Sequence, residues 1–178
     1  MRIRAALMLL VVAVVPCACG TSKPPLPAAD LDITVVEDFD RVRPVSVVVP
    51  PVVASATLGA PLGAVRESFY RMLIDRNYAP YRLDIDLADI PEDTTRGTLA
   101  IKVTQWDRSR LSDRGRILVS GAVSLVRGGR VLWRATFGSL SLPATKRDTF
   151  LTAEQKDAMA AKALGARVLR ELPSKADN

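Results

Sequence analysis

The sequence predicts an α/β (α+β) domain: a single mixed β-sheet packed by at least two helices, in the order β-α-β-β-β-β-α. Three observations carry this expectation. Two segments, opening at Pro61 and at Thr152, place apolar residues at three- and four-residue steps. Shorter segments around them alternate apolar and polar residues, or are β-branched throughout. A Gly128-Gly129 pair divides one such stretch in the manner of a hairpin turn. At 178 residues the chain is long enough for one independent core, and 25% charged with 5% aromatic residues is the composition of a globular body.

Each element has its own local reason. Residues 45–49, Val-Ser-Val-Val-Val, are apolar on both faces, which is the pattern of a central strand covered from two sides. Pro50-Pro51 ends it, because proline has no N–H to give a ladder. Pro61 suits a first helical turn, and Leu62, Val65, Phe69 and Leu73 then mark one face, with Arg66, Glu67, Arg71 and Asp75 mainly on the other. The helix stops near Asn77. Residues 78–87 return as extended chain, and strict alternation in Leu83-Asp84-Ile85-Asp86-Leu87 predicts a strand with one apolar and one acidic face. Residues 91–97 form a loop. Leu99, Ile101 and Val103 then alternate with Ala100, Lys102 and Thr104 in a half-buried strand that ends near Trp106.

Residues 108–116 are a polar loop with four arginines, followed by strands over 117–126 and 130–137. Register discriminates between two turns here. A two-residue loop pairs Val126 with Val131 and sets Val119, Val123 and Leu125 on the face opposite Val131, Trp133 and Phe137. A three-residue loop, residues 127–129, pairs Leu125 with Val131, Val123 with Trp133 and Val119 with Phe137, collecting one apolar face. The expectation is therefore a bulged three-residue turn. Finally, Thr152 with Gln155 three residues on reads as a capping box. It opens a helix to about Leu172, with Met159, Ala160, Ala163, Leu164 and Val168 inward.

The N-terminus reads as an address. Arg2 and Arg4 precede residues 5–15, which hold no charge and are too few for the roughly 20 apolar residues that span a bilayer. Pro16-Cys17-Ala18-Cys19-Gly20 then resembles the lipobox of bacterial lipoproteins, in which a small residue precedes a cysteine that receives diacylglycerol and becomes residue one. Cys19, preceded by Ala18, fits; Cys17 follows Pro16, which the cleavage position refuses. The expected organisation is a signal peptide over residues 1–18, the lipidated Cys19 with a proline-rich tether and arm over 19–37, one αβ domain over 38–173, and a disordered tail over 174–178. Residues 20–30 hold three prolines; at about 3.1 Å per extended residue they let the domain stand roughly 30 Å off a lipid surface. Residues 31–43 mix Ile33, Val35, Val36 and Phe39 with acids and read as an arm laid on the domain. Gly20 after the cysteine, by resemblance to the sorting rule of enteric bacteria, implies an outer-membrane, periplasm-facing destination.

Some strings resemble a known family. Arg43-Pro44, the hydrophobic run to Val49 and Pro50-Pro51, then Val103-Thr104-Gln105-Trp106, then Gly128-Gly129-Arg130-Val131-Leu132-Trp133, are similar to the opening, the "Val-Thr-Gln-aromatic" strand and the "turn, Leu-Leu-Trp" of a family of bacterial outer-membrane lipoproteins. That family is of unknown function, is grouped with curli-assembly-type lipoproteins and shares the fold of the TolB amino-terminal domain. The resemblance covers residues 38–140, with a shorter 84–96 stretch. It implies a secretion or assembly accessory in the cell envelope, with an envelope protein or further copies of itself as partner and the membrane reached through lipid. The lipoprotein auxiliary subunits of lipid-transporting ABC systems share a strand-hairpin-helix ending but lack the Arg-Pro and Pro-Pro opening.

Chemistry is mostly excluded by composition. There is no histidine, and the two cysteines both lie in the N-terminal segment, which removes Ser-His-Asp triads, His-based metal sites and zinc ribbons. Asp84, Asp86 and Asp89 fail the calcium-loop pattern, whose sixth and twelfth positions hold Asp89 and Thr95 instead of Gly and Glu. No phosphate-loop motif follows Gly59 or Gly63. The expectation is thus a non-enzyme with no catalytic residues, cofactor or metal. The net charge of +6 does not imply nucleic acid for an exported chain. Arg108, Arg110, Arg114 and Arg116 are the candidate partner surface, with the uncharged residues 52–60 as a second. Arg127 and Arg130 sit at the far end of the strand 117–126, so the two basic groups do not form one patch.

Overall fold

The computed structural model describes residues 30–90, 95–145 and 150–174. In chain order the elements are β1 (Asp30–Val35), α1 (Phe39–Val42), β2 (Ser46–Val49), β3 (Val53–Ala54), α2 (Leu62–Asp75), β4 (Ala79–Arg82), β5 (Gly97–Asp107), α3 (Leu111–Arg114), β6 (Arg116–Arg127), β7 (Arg130–Pro143) and α4 (Ala153–Leu169). The seven strands make one mixed sheet ordered β1-β7-β6-β5-β2-β4, with β3 paired to β5 beside this path. β2 runs parallel to β4 and β5, whereas β1, β7, β6 and β5 are successive antiparallel neighbours. The predicted class, a mixed sheet with helices packed on it, is the class observed.

α2 and α4 pack against each other and bury one face of the sheet. Their contact is close because Gly165 offers no side chain: a Cβ there would come 2.8 Å from Ser68 Oγ. Phe69 and Leu73 from α2, Leu164 and Leu169 from α4, and Trp133, Leu99, Ile101 and Leu125 from the strands are fully buried between the layers. Each such side chain stabilises the fold by about 1.5–3 kcal/mol relative to exposure. The other face carries Asp32, Thr34, Arg134, Thr136, Ala122, Ser124, Thr98, Ala100 and Lys102, all half-buried or exposed. Alternation along β5 decides which residue goes where: Leu99, Ile101 and Val103 point inward, and Lys102 and Thr104 outward.

Four local expectations are corrected. Residues 31–43 are not an arm: β1 pairs with β7 along its whole length, from Asp30 opposite Gly138 to Val35 opposite Trp133, and α1 follows with Phe39 in the core. The domain therefore takes in residues 30–37 as well. The chain after β4 is not the alternating strand expected over 83–87. Arg66 on α2 donates from Nη2 to Leu83 O at 2.9 Å and from Nη1 to Asp84 Oδ1 at 2.5 Å, turning this segment off the sheet into a 3-10 turn at Leu87–Asp89. The loop 108–116 includes a helical turn, α3.

The fourth correction is the β6–β7 turn. Arg127 pairs with Arg130 and Val126 with Val131, so the loop is the two-residue one. Gly128 and Gly129 both have positive φ, 52° and 70°, the backbone of a type I′ turn. The conflict of faces is resolved one step later, by Leu132 bulging between Val131 and Trp133, so that Leu125 meets Trp133 and Val123 meets Ala135. Higher up, β5 and β7 each carry an extra residue against β6, at Thr104 and at Gly138-Ser139, which shifts the inward positions to Trp106 and Leu140. The Ser120 hydroxyl fills this break, donating to Gln105 Oε1 at 2.7 Å and accepting from Ser139 N at 2.9 Å.

Candidate functional site

The end of the sheet formed by the close of β5, α3 and the start of β6 carries the four predicted arginines, and their side chains turn to internal partners. Arg108 donates to both carboxylate oxygens of Asp157 in the first turns of α4, Nε to Oδ1 at 3.0 Å and Nη2 to Oδ2 at 2.7 Å, and also to Gly59 O at 2.7 Å. Trp106 Nε1 donates to the same Oδ1 at 3.1 Å. The Asp157 hydrogen bonds raise the pKa of Arg108 further above its already basic range. Arg110 and Arg114 lie 4.0 and 3.6 Å from Asp113 Oδ2. Arg116 donates to Ser141 Oγ at 2.7 Å and to Ser141 O at 2.8 Å. The quartet thus ties β5, β7, α4 and the 52–60 loop together. That loop, with Val53 exposed and Gly59 bonded to Arg108, stands beside it.

At the opposite end the second basic group is also engaged. Arg127 Nη1 donates to Val42 O at 2.5 Å, and Arg130 forms an ion pair with Asp38 at 2.8 Å that lowers the Asp38 pKa, chiefly through the hydrogen bond. The end of α4 lies here too. Arg76 donates to Arg170 O, Trp133 Nε1 to Glu171 O at 3.2 Å, the Tyr78 hydroxyl to Pro173 O at 2.8 Å, and Arg43 Nη1 to Ser174 O at 3.0 Å. Burial pushes the Tyr78 hydroxyl up to about 12.

Two concave regions lie away from these ends. A groove of about 430 Å3 runs outside the α2–α4 contact, with Met72, Ile74 and Ala158 beside Glu67, Arg71 and Lys162. Glu67 there takes hydrogen bonds from Arg71 and Arg82, and the Arg71 bond foremost lowers its pKa. A cleft of about 510 Å3 lies between β7 and the flank of α4, bounded by Arg116, Arg167 and Arg170 over Leu140, Leu142 and Ala166. Sequence reasoning passes over Arg167 and Arg170, because periodicity reads α4 for its apolar face alone; their three-residue spacing on one flank is the signal that marks them.

Among the described residues no three of His, Cys, Asp or Glu gather as metal ligands, and no helix is long and apolar enough to cross a membrane. Asp84, from the acidic trio, is paired with Arg66. Cys19, the expected lipidation site, lies outside the described residues, as does the tether before Asp30.

No family model and no curated protein matches the chain. Solved structures do. A PelC dodecamer from Paraburkholderia phytofirmans aligns with a TM-score of 0.56 at 16% identity, over 84% of this chain and all of that one. A leucine-to-methionine variant of that protein, also a dodecamer, aligns with the same TM-score and coverage at 18% identity. At these identities the likeness is one of fold.

Proposed function

We propose that the protein is an outer-membrane-anchored, periplasm-facing lipoprotein that acts as a non-catalytic binding and assembly module in envelope biogenesis or secretion, and that it works as a homo-oligomer. The observation that carries this reading is the conjunction of a lipobox-like Ala18-Cys19 with a body that shares the fold of a protein solved as a dodecamer. The family resemblance points the same way. Its strings fall on β2, on β5 and on the β6–β7 turn, at the centre of the sheet. At the arginine-rich end Arg108 ties β5 to α4, and Arg116 ties β6 to β7.

The competing reading, an auxiliary subunit of a lipid-transporting ABC system, calls for an apolar groove between sheet and helices. The interior between the layers is filled by Phe69, Leu73, Trp133 and Leu164, all fully buried, which leaves acyl chains no place along it, so the assembly reading is preferred. Metabolic labelling with a palmitate analogue tests the anchor: wild type takes up label and Cys19→Ser does not. Undiminished label in the variant refutes lipidation at Cys19.

A further inference from the structure

The cleft between β7 and α4 is where uncancelled positive charge meets apolar surface. Three guanidinium groups bound it, Arg116 from the start of β6 and Arg167 and Arg170 from the last turns of α4, and among the described residues no carboxylate lines it. The side chains of Arg167 and Arg170 have no hydrogen-bond or ion-pair partner among the described residues. Cations in the last turn of a helix complement its dipole, which accounts for basic residues at 167 and 170. The third arginine, Arg116, is held at the same space by its bonds to Ser141, which leave its charge uncancelled. Pro143, Ala163 and Ala166, exposed or half-buried, give the cleft its apolar lining, and Leu140 and Leu142 lie buried beneath it.

Its position matters as much. Among the described residues β1 pairs with β7 as far as Asp30 opposite Gly138, and β7 continues to Pro143. If fully extended at about 3.1 Å per residue, the eleven residues from Cys19 to Asp30 would span roughly 34 Å.

We propose that this cleft is a headgroup site for an anionic phospholipid, the phosphate held by Arg116, Arg167 and Arg170 and the glycerol with its first methylenes laid on Pro143, Ala163 and Ala166. The proposal rests on the anchored-lipoprotein reading for the supply of lipid. Guanidinium forks match phosphate oxygens with charge-assisted hydrogen bonds. The absence of a lining carboxylate leaves nothing to receive a choline or ethanolamine cation, so the site selects an anionic head over a zwitterionic one.

Native mass spectrometry of the mature protein, purified from membranes in neutral detergent and titrated with short-chain phosphatidylglycerol, phosphatidylcholine or glycerol 3-phosphate, tests this. Phosphatidylglycerol should bind at least tenfold more tightly than either other ligand. R167E/R170E should lose at least tenfold, R167Q/R170Q should fall between, and K102E/R134E, which makes the same charge change on the open sheet face, should bind as wild type. Equal losses in the two reversal pairs, absence of the phosphatidylglycerol adduct, or glycerol 3-phosphate binding as tightly as the lipid would overturn the site. The covalent mass on Cys19 is read in the same spectra. A chain without diacylglycerol refutes the anchor, while the adduct comparison still decides the cleft.

Discussion

The two ends of α4 are fixed by different means. At the N-terminal end Thr152 and Gln155 form a reciprocal capping box, with bonds of 3.2 and 2.9 Å, and Asp157 collects three donors from Trp106 and Arg108. At the C-terminal end the acceptors are backbone carbonyls, and the Asp40 carboxylate lies 3.6 Å from one of the donors, Arg43. Four side chains, from Arg43, Arg76, Tyr78 and Trp133, instead donate to backbone carbonyls between residues 170 and 174. Both ends are held by side-chain donors, but only at the first is the acceptor a carboxylate. A carbonyl accepts a guanidinium without cancelling its charge, as Arg170 O does for Arg76. One helix therefore has an end locked on a carboxylate and an end held through carbonyls.

The sharpest way to break this comparison is to remove the acceptor at the locked end. Asp157→Leu strands the Arg108 guanidinium and the Trp106 N–H together, and should cost about 3 kcal/mol, the lower part of the range for breaking a buried pair because Arg108 is partly exposed. Trp133→Phe, which deletes one donor to a carbonyl at the other end, should cost about 1 kcal/mol. Urea unfolding of both variants checks the ranking, and equal losses would show that the ends are held alike.

An effect close to that of Asp157→Leu should appear with alkali. Tyr78 is raised from 10.0 to about 12 in the folded chain, so the folded state keeps a proton that the unfolded state gives up. Stability from this group is complete below pH 10 and falls as pH rises from 10 to 12, by up to about 2.7 kcal/mol for two units. Denaturation midpoints across that interval should decline in wild type and decline less in Tyr78→Phe. An identical slope in the variant would remove Tyr78 from the account of the C-terminal end.

What could be read in the sequence follows the same division. The capping box, the apolar stripe of α2 and the alternation of β5 depend on residues within a few positions of each other, and each was legible. β1 was not, because Ile33 and Val35 are committed by a partner about a hundred residues away in β7. Residues 83–87 have a strand's pattern, and the contact from Arg66 on α2 overrides it. The hairpin was half legible: the need for a bulge followed from the two apolar faces, but not its place at Leu132, since two left-handed glycines suffice for the tighter turn. Of the candidate arginines, their clustering at one end was visible and their acceptors were not. Asp157, Ser141 and Gly59 are all distant in sequence. Arg167 and Arg170 gain meaning only when Arg116 is placed across the cleft from them.

The central claim is that this domain acts by association. Sedimentation velocity of the mature lipoprotein in neutral detergent, over a wide concentration range, measures this most directly. The account predicts one closed multi-chain species whose size does not change on dilution. A monomer at every concentration would contradict it.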